Sequence, residues 1–218
     1  LVKISEKKDD EDNGAVKYYT QDYITEEMIG DIRGMWPMEG KSGGTLDASV
    51  KGQDLTNNNS TTFTRTGVRG HSADFNGSNQ YLSDPDHADY TFTTALSVGL
   101  WFNRDTDGGA DGLITKADVD VSSTIDWNVR VDVADTVTFV TYNAASAGVI
   151  SVSPSATSLG QWYHVVGTYD GANMRLYMNG VLLDTDAQTG NIQDTSEALL
   201  IGAKDSTGIG EYIDARID

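Results

Sequence analysis

Gln161–Gly180, QWYHVVGTYDGANMRLYMNG, limits the possible folds more than any other part of the chain. Asp170-Gly171 and Asn179-Gly180 tolerate positive φ and close tight β-turns. Between them Met174, Leu176 and Met178 alternate with Arg175, Tyr177 and Asn179, which is the two-residue period of a half-buried strand. Upstream, Trp162, His164, Val166 and Thr168 interleave with Tyr163, Val165, Gly167 and Tyr169. Apolar or aromatic groups occupy both sets, so the pattern predicts a strand buried on both sides. The unit is a β-meander of the kind found in sandwiches.

The rest of the chain agrees. Candidate strands follow at Met35–Glu39, Thr61–Thr66, Ser72–Asn76, Gln80–Ser83, Leu96–Asn103, Ile125–Val133, Thr136–Tyr142, Ala198–Ala203 and Glu211–Ile217. A hairpin turn is expected at Ala134-Asp135. No helical pattern separates these runs, which favours an all-β, two-sheet antiparallel jelly-roll sandwich over βαβ units. The 23 glycines and 3 prolines suit many short strands joined by tight turns. At 218 residues the chain is long enough for one large β domain with a substantial core. Residues 1–33 differ in character and are expected to be an N-terminal extension or docking arm, with the jelly roll at 34–218. Val2–Glu6 and Ala15–Tyr19 form a predicted hairpin around Asn13-Gly14. A short helix is expected after it, capped by Thr25, with Glu26 and Glu27 in its first turn and Gly34 at its end. Trp101 and Trp162 are assigned to the core.

Lys plus Arg total 15 against 33 Asp plus Glu, a net charge of −18. So acidic a surface repels phosphate backbones, and no basic patch offsets it, so nucleic acid is excluded as a partner. With no cysteine, disulfide staples and thiolate chemistry are excluded. No run approaches the roughly 20 apolar residues of a membrane helix, so membrane insertion is not expected. Leu1 is not a natural start, and the chain reads as a mature or excised piece.

Six segments, in order, resemble the laminin-G-like, concanavalin-A-like jelly-roll family in its bacterial or viral form. They are MWPMEG at Met35–Gly40, ADFNGSNQYL at Ala73–Leu82, LSVGLWFN at Leu96–Asn103 and LITKAD at Leu113–Asp118, then the meander block and LLIGAKDSTGIGEYIDARID at the end. The resemblance covers residues 34–218. It implies adhesion or glycan binding, and a further strand after Ile217-Asp218 that is missing here. It also implies structural calcium, held by Glu39, Asp218 and carbonyls near Asn76 and Gly77, or at the sandwich rim by Asp118 and Asp120. Oxygen-rich Asp and Asn turns suit that ion.

Catalytic patterns are sparse. Glycosidases need two carboxylates flanking a cleft, and no Glu occurs between Gly40 and Ser196. Asp118-x-Asp120 and Asp184-x-Asp186 read as loop acids at strand ends. His164 reads as a structural histidine, and His87 and His71 have no nucleophile pattern beside them. Trp127, Tyr142 and Tyr177 are the expected exposed-face aromatics on which a sugar ring would stack. The expected role is a non-catalytic surface recognition or adhesion module for carbohydrate or protein. It would be displayed on a larger extracellular, cell-surface or virion assembly, with a glycan, a surface protein or neighbouring subunits as partners. The alternatives are a structural decoration or fibre component of a virion or cell-surface layer and, least favoured, a glycan-active hydrolase or lyase.

Overall fold

The structure is a computed structural model that describes residues 32–40, 44–45, 47–49, 51–117, 125–143, 146–204 and 211–218. The expected N-terminal hairpin and the body of the helix fall on residues 1–31, outside the described residues. Fifteen strands are described. In chain order they are β1 (Gly44–Thr45), β2 (Leu55–Asn58), β3 (Thr62–Thr66), β4 (His71–Asn76) and β5 (Tyr81–Asp84), then β6 (Leu96–Arg104), β7 (Asp111–Ala117), β8 (Ile125–Val131), β9 (Val137–Asn143) and β10 (Ser146–Val152), then β11 (Tyr163–Tyr169), β12 (Asn173–Met178), β13 (Val181–Ala187), β14 (Leu199–Ile201) and β15 (Asp214–Ile217). A short 3-10 turn, Ala88–Tyr90, precedes β6.

The meander forms as its turns dictate. Gly171, Asn179 and Gly180 all take positive φ, at 85°, 51° and 79°. The β8–β9 turn forms in the same way, with Asp135 at φ 60°. These strands join an antiparallel sheet of seven, ordered β13-β12-β11-β6-β15-β4-β3, and a sheet of eight is ordered β1-β2-β5-β14-β7-β8-β9-β10. β15 is bonded on both sides, to β4 and to β6. The all-β, two-sheet antiparallel sandwich is therefore the observed architecture.

The core lies between the sheets. Phe75, Phe102, Val165, Leu176 and Ile217 from the seven-stranded sheet meet Leu113, Trp127, Val129, Phe139 and Leu199 from the other. Glycine permits the closest approach: a Cβ on Gly167 would stand 2.6 Å from the Phe139 ring across the gap.

Alternation along β11 follows the sheet. Val165, Gly167 and Tyr169 are buried, whereas His164, Val166 and Thr168 are only half-buried. The expectation of burial on both sides is corrected, because only one face of this sheet meets the second layer. Trp101 and Trp162 are corrected too: they are half-buried, and Trp101 alternates with the buried Leu100 and Phe102. Met35–Glu39 forms no strand, although Met35 is anchored through its carbonyl, which accepts from Ala48 N at 2.7 Å. Met38 is buried in the core. Asp184 and Asp186 lie within β13 rather than at a loop boundary.

Two buried cations pin the ends of the sandwich. Lys116 Nζ is fully buried and donates to Asp126 Oδ2 at 2.7 Å and to the Thr195 carbonyl at 2.8 Å, with Asp86 at 3.0 Å. Arg104, also buried, reaches Asp135, Thr157 Oγ1 and the Thr106 carbonyl.

Candidate functional site

Register places a row of aromatic and polar side chains on the outer face of the seven-stranded sheet. In β11 and β6, His164 is opposite Trp101 and Val166 is opposite Gly99. The His164 and Trp101 rings pack with centroids 4.9 Å apart at 34°. Trp101 exchanges both backbone hydrogen bonds with Asp218, at 2.8 and 2.9 Å, so Asp218 flanks it on the other side. Tyr177 of β12 is opposite Val166 and continues this face outward.

One step along the strands lies a second row. Tyr163 is opposite Phe102, which places Trp162 beside Asn103. Arg216 is opposite Asn103 on one side and Asp74 on the other. Its guanidinium carbon stands 5.3 Å from the Trp162 ring centroid, a cation–π contact spanning two strands. Asn103 lies between the two partners and is 1% exposed. Beyond Arg216, Asp74 and Asp105 are both held by Arg65.

The electrostatics of this face follow from partial burial. Desolvation pushes the His164 imidazole below its ordinary range, because losing water disfavours the charged ring. His164 is therefore neutral at physiological pH and presents an aromatic surface beside Trp101. Gly99 is exposed and leaves the sheet low in front of Val166. The result is a shallow platform of two indoles and an imidazole, edged by Arg216, Asp74 and Asp218. Rings of this kind offer apolar faces, and the polar edge offers donors and acceptors.

The expected aromatic trio does not come together. Trp127 is 3% exposed, packed edge-on against Phe92 inside the sandwich, and is corrected from surface to core. Its place follows from β8–β9 pairing, which sets it opposite the buried Thr141. Tyr142, the next residue after Thr141, belongs to the eight-stranded sheet, whereas Tyr177 belongs to the seven-stranded one. Only Tyr177 neighbours the platform. Trp101 and Trp162 were missed as surface groups. The signal was the polar company on their side of the strand, His164 and Thr168, against the uniformly apolar Val165, Gly167 and Tyr169.

The calcium ligands implied by resemblance do not converge either. Asn76 is opposite Asp214 and Ala73 is opposite Ile217, so Asn76 and Gly77 lie at the other end of the β4–β15 pair from Asp218. That is a separation of about 13 Å for four residues of strand. Asn76 Oδ1 accepts from the backbone N–H groups of Ser78 and Asn79 and closes a turn. Asp218 Oδ2 accepts from Arg69 N at 2.9 Å, and Glu39 faces His71. Asp118 and Asp120 lie outside the described residues. Among the described residues no three His, Asp or Glu side chains form a group fit for a metal ion. His87 caps the 3-10 turn, accepting from Asp89 N.

The family described as the Concanavalin A-like lectin/glucanases superfamily matches residues 76–218, and the chain belongs to it. No curated protein sequence matches. Among solved structures, the binding domain of Paraclostridial Mosquitocidal Protein 1 is similar at TM-score 0.66 and 14% identity, over 83% of this chain and 46% of that one. Domain 4 of AbnA, an extracellular GH43 arabinanase from Geobacillus stearothermophilus, was solved in complex with arabinotriose. It is similar at TM-score 0.59 and 16% identity, over 79% of this chain and 85% of that one. A botulinum neurotoxin type C structure, whose cell entry depends on two ganglioside molecules, is similar at TM-score 0.61 and 12% identity, over 87% and 47%. The chain thus spans just under half of the two toxin chains. At these identities the likeness is one of fold.

Proposed function

We propose that this member of the superfamily is a non-catalytic recognition module that binds a glycan on the outer face of its seven-stranded sheet. It works as a displayed domain of an extracellular, cell-surface or virion-surface assembly. The observation that carries this reading is the Trp101–His164–Trp162 platform. In a sandwich, large aromatics are drawn to the layer between the sheets, and two indoles on the outer side of one sheet leave apolar area uncovered. Sugar rings supply the matching apolar faces, and their hydroxyls match the polar border of Asp74, Arg216 and Asp218.

Two further observations favour binding over turnover. The acids that edge the platform are engaged rather than set as a pair across a cleft: Asp74 is held by Arg65, and Asp218 accepts from Arg69 N. No Glu occurs between Gly40 and Ser196. The arabinanase domain of related fold was solved in complex with arabinotriose, and the cell entry of the neurotoxin depends on ganglioside molecules, which makes glycans the first ligand class to test.

The test is a glycan array probed with the folded protein, with and without calcium, beside a Trp101→Ala variant of matched circular dichroism. Binding by the parent that the variant loses supports the proposal. Silence across the array from folded protein removes it, and so does binding that the variant retains in full.

A further inference from the structure

Two buried polar atoms on the platform lack partners, and they are neighbours. Arg216 Nε and Asn103 Oδ1 are shielded from solvent with no hydrogen bond, and their residues are opposite one another in the β15–β6 register. A buried donor or acceptor left bare costs about 1–3 kcal/mol, so such groups are rare and need a reason. They do not satisfy each other, and the guanidinium carbon stands over the Trp162 ring instead.

Arg216 also stands apart from the other cations of this face. Arg65 pairs with Asp74 and Asp105, and Arg175 pairs with Asp170. Among the described residues Arg216 has only a long contact to the Thr66 carbonyl, at 3.5 Å, and no carboxylate within ion-pair distance, in a chain of net charge −18. With acids so abundant, an arginine that stacks on an indole keeps its planar fork free. That fork matches a carboxylate through two parallel N–H bonds, which a lysine cannot reproduce.

We propose that Arg216 is the specificity-determining residue of the platform and that the preferred ligand is an acidic sugar carrying a carboxylate, a uronic acid residue within an oligosaccharide. This inference rests on the glycan-binding reading above and narrows it. A sugar ring on Trp101 lies two residues along β6 from Asn103, about 7 Å. The adjoining ring then lies over Asn103 and Arg216. Its carboxylate takes the guanidinium, and a hydroxyl donates to Asn103 Oδ1. Both atoms are enclosed in the free protein, so the Arg216 side chain must turn outward as the sugar docks for either to gain its partner. The acids around Arg216 are already committed, Asp74 to Arg65 and Asp218 to Arg69 N, so the incoming carboxylate is not competing with them for the fork.

The experiment is calorimetric titration with tetrasaccharides of polygalacturonate, alginate and hyaluronan, each beside its carboxyl-reduced neutral counterpart. The wild-type chain is expected to bind at least one charged member at least tenfold tighter than its reduced form, the Arg216 fork outweighing the general repulsion from a chain of net charge −18. Arg216→Gln is expected to abolish the preference, weakening the charged form by far more than the reduced form. Arg216→Lys keeps the charge and loses the fork, and is expected to recover only part of it. Trp101→Ala is expected to weaken both members alike. Equal binding of charged and reduced sugars, or a preference that survives Arg216→Gln, overturns the role of Arg216 and leaves glycan binding standing. Tighter binding to a sulfated oligosaccharide than to any uronate overturns the carboxylate assignment. If no sugar of either kind binds folded protein, the glycan reading itself falls and the inference falls with it.

Discussion

Trp101 and His164 are opposite each other across the β6–β11 ladder, and their rings pack 4.9 Å apart on the outer face of the seven-stranded sheet. Neither ring reaches the core, which lies on the other side of both strands. The pair therefore covers part of its apolar area by itself and leaves the rest to a partner. It also sets the charge state of the imidazole, since burial against the indole withholds water from the protonated form.

A pH dependence follows. The folded imidazole titrates below the unfolded value of about 6.5. Between those two values the unfolded chain binds a proton that the folded chain does not. Stability from this group is thus complete above about pH 6.5 and is lost as pH falls through that window. Urea unfolding at a series of pH values is expected to show a steeper loss on the acid side for wild type than for His164→Asn. The imidazole NMR titration of His164 should have its midpoint below 6.5, moving upward in Trp101→Ala. A midpoint at or above 6.5 in wild type contradicts the packing.

Face and core tryptophans should respond in opposite ways. Trp101 and Trp162 are half-buried, whereas Trp127 is enclosed. Truncating a buried Trp to Ala costs about 3–5 kcal/mol, so Trp127→Ala is expected to be severely destabilised in urea. Trp101→Ala and Trp162→Ala forfeit less buried area and should each lose less than about 2 kcal/mol. In glycan binding the order reverses. Each platform truncation is expected to weaken affinity about tenfold or more, as aromatic anchors do. Trp127→Ala that folds at low temperature should bind as wild type.

The strands were legible because their information is local. Asp170-Gly171 and Asn179-Gly180 close turns by backbone preference alone, and Met174, Leu176 and Met178 alternate beside them. Which face points inward is not local. Trp127 is flanked by Asp126 and Asn128 and so reads as a surface group, yet pairing with Thr141 turns it into the sandwich. Trp101 sits in a run as apolar as any core strand, yet Leu100 and Phe102 claim the inner side. The platform was further hidden because its parts are distant in sequence. β15 inserts between β6 and β4, and only that topology brings Arg216 to Asn103 and within reach of Trp162.

Lys116 tests the rim. Burial pulls its ammonium toward neutrality, but the Asp126 hydrogen bond and charge, with Asp86, outweigh that and hold it above the ordinary lysine range. The pair is enclosed, with side chains 0% and 2% exposed. Removing one member of such a pair strands the other charge at about 3–5 kcal/mol. Lys116→Met is expected to lower urea stability by that amount, and Lys116→Met/Asp126→Asn to recover part of it. A single-variant loss under about 1 kcal/mol would mean that water already reaches Asp126.

The gap between the sheets sets the last expectation. A Cβ at Gly167 would meet the Phe139 ring at 2.6 Å, whereas one at Gly99 would meet Val166 Cγ2 at 3.2 Å. Both glycines lie on neighbouring strands of one sheet, but Gly167 faces inward and Gly99 outward. Forcing an extra methyl into a packed interior costs about 1–3 kcal/mol. Gly167→Ala should therefore be destabilised by about that much, and Gly167→Ala/Phe139→Leu should regain part of the loss by yielding ring volume. At Gly99 the added methyl needs Val166 Cγ2 to give by only a few tenths of an ångström, so Gly99→Ala should cost clearly less than Gly167→Ala, under about 1 kcal/mol. Thermal unfolding of the three variants beside wild type separates the outcomes. Equal losses at Gly99 and Gly167 would place both sides of the sheet against protein, and the outer platform would no longer be a free surface.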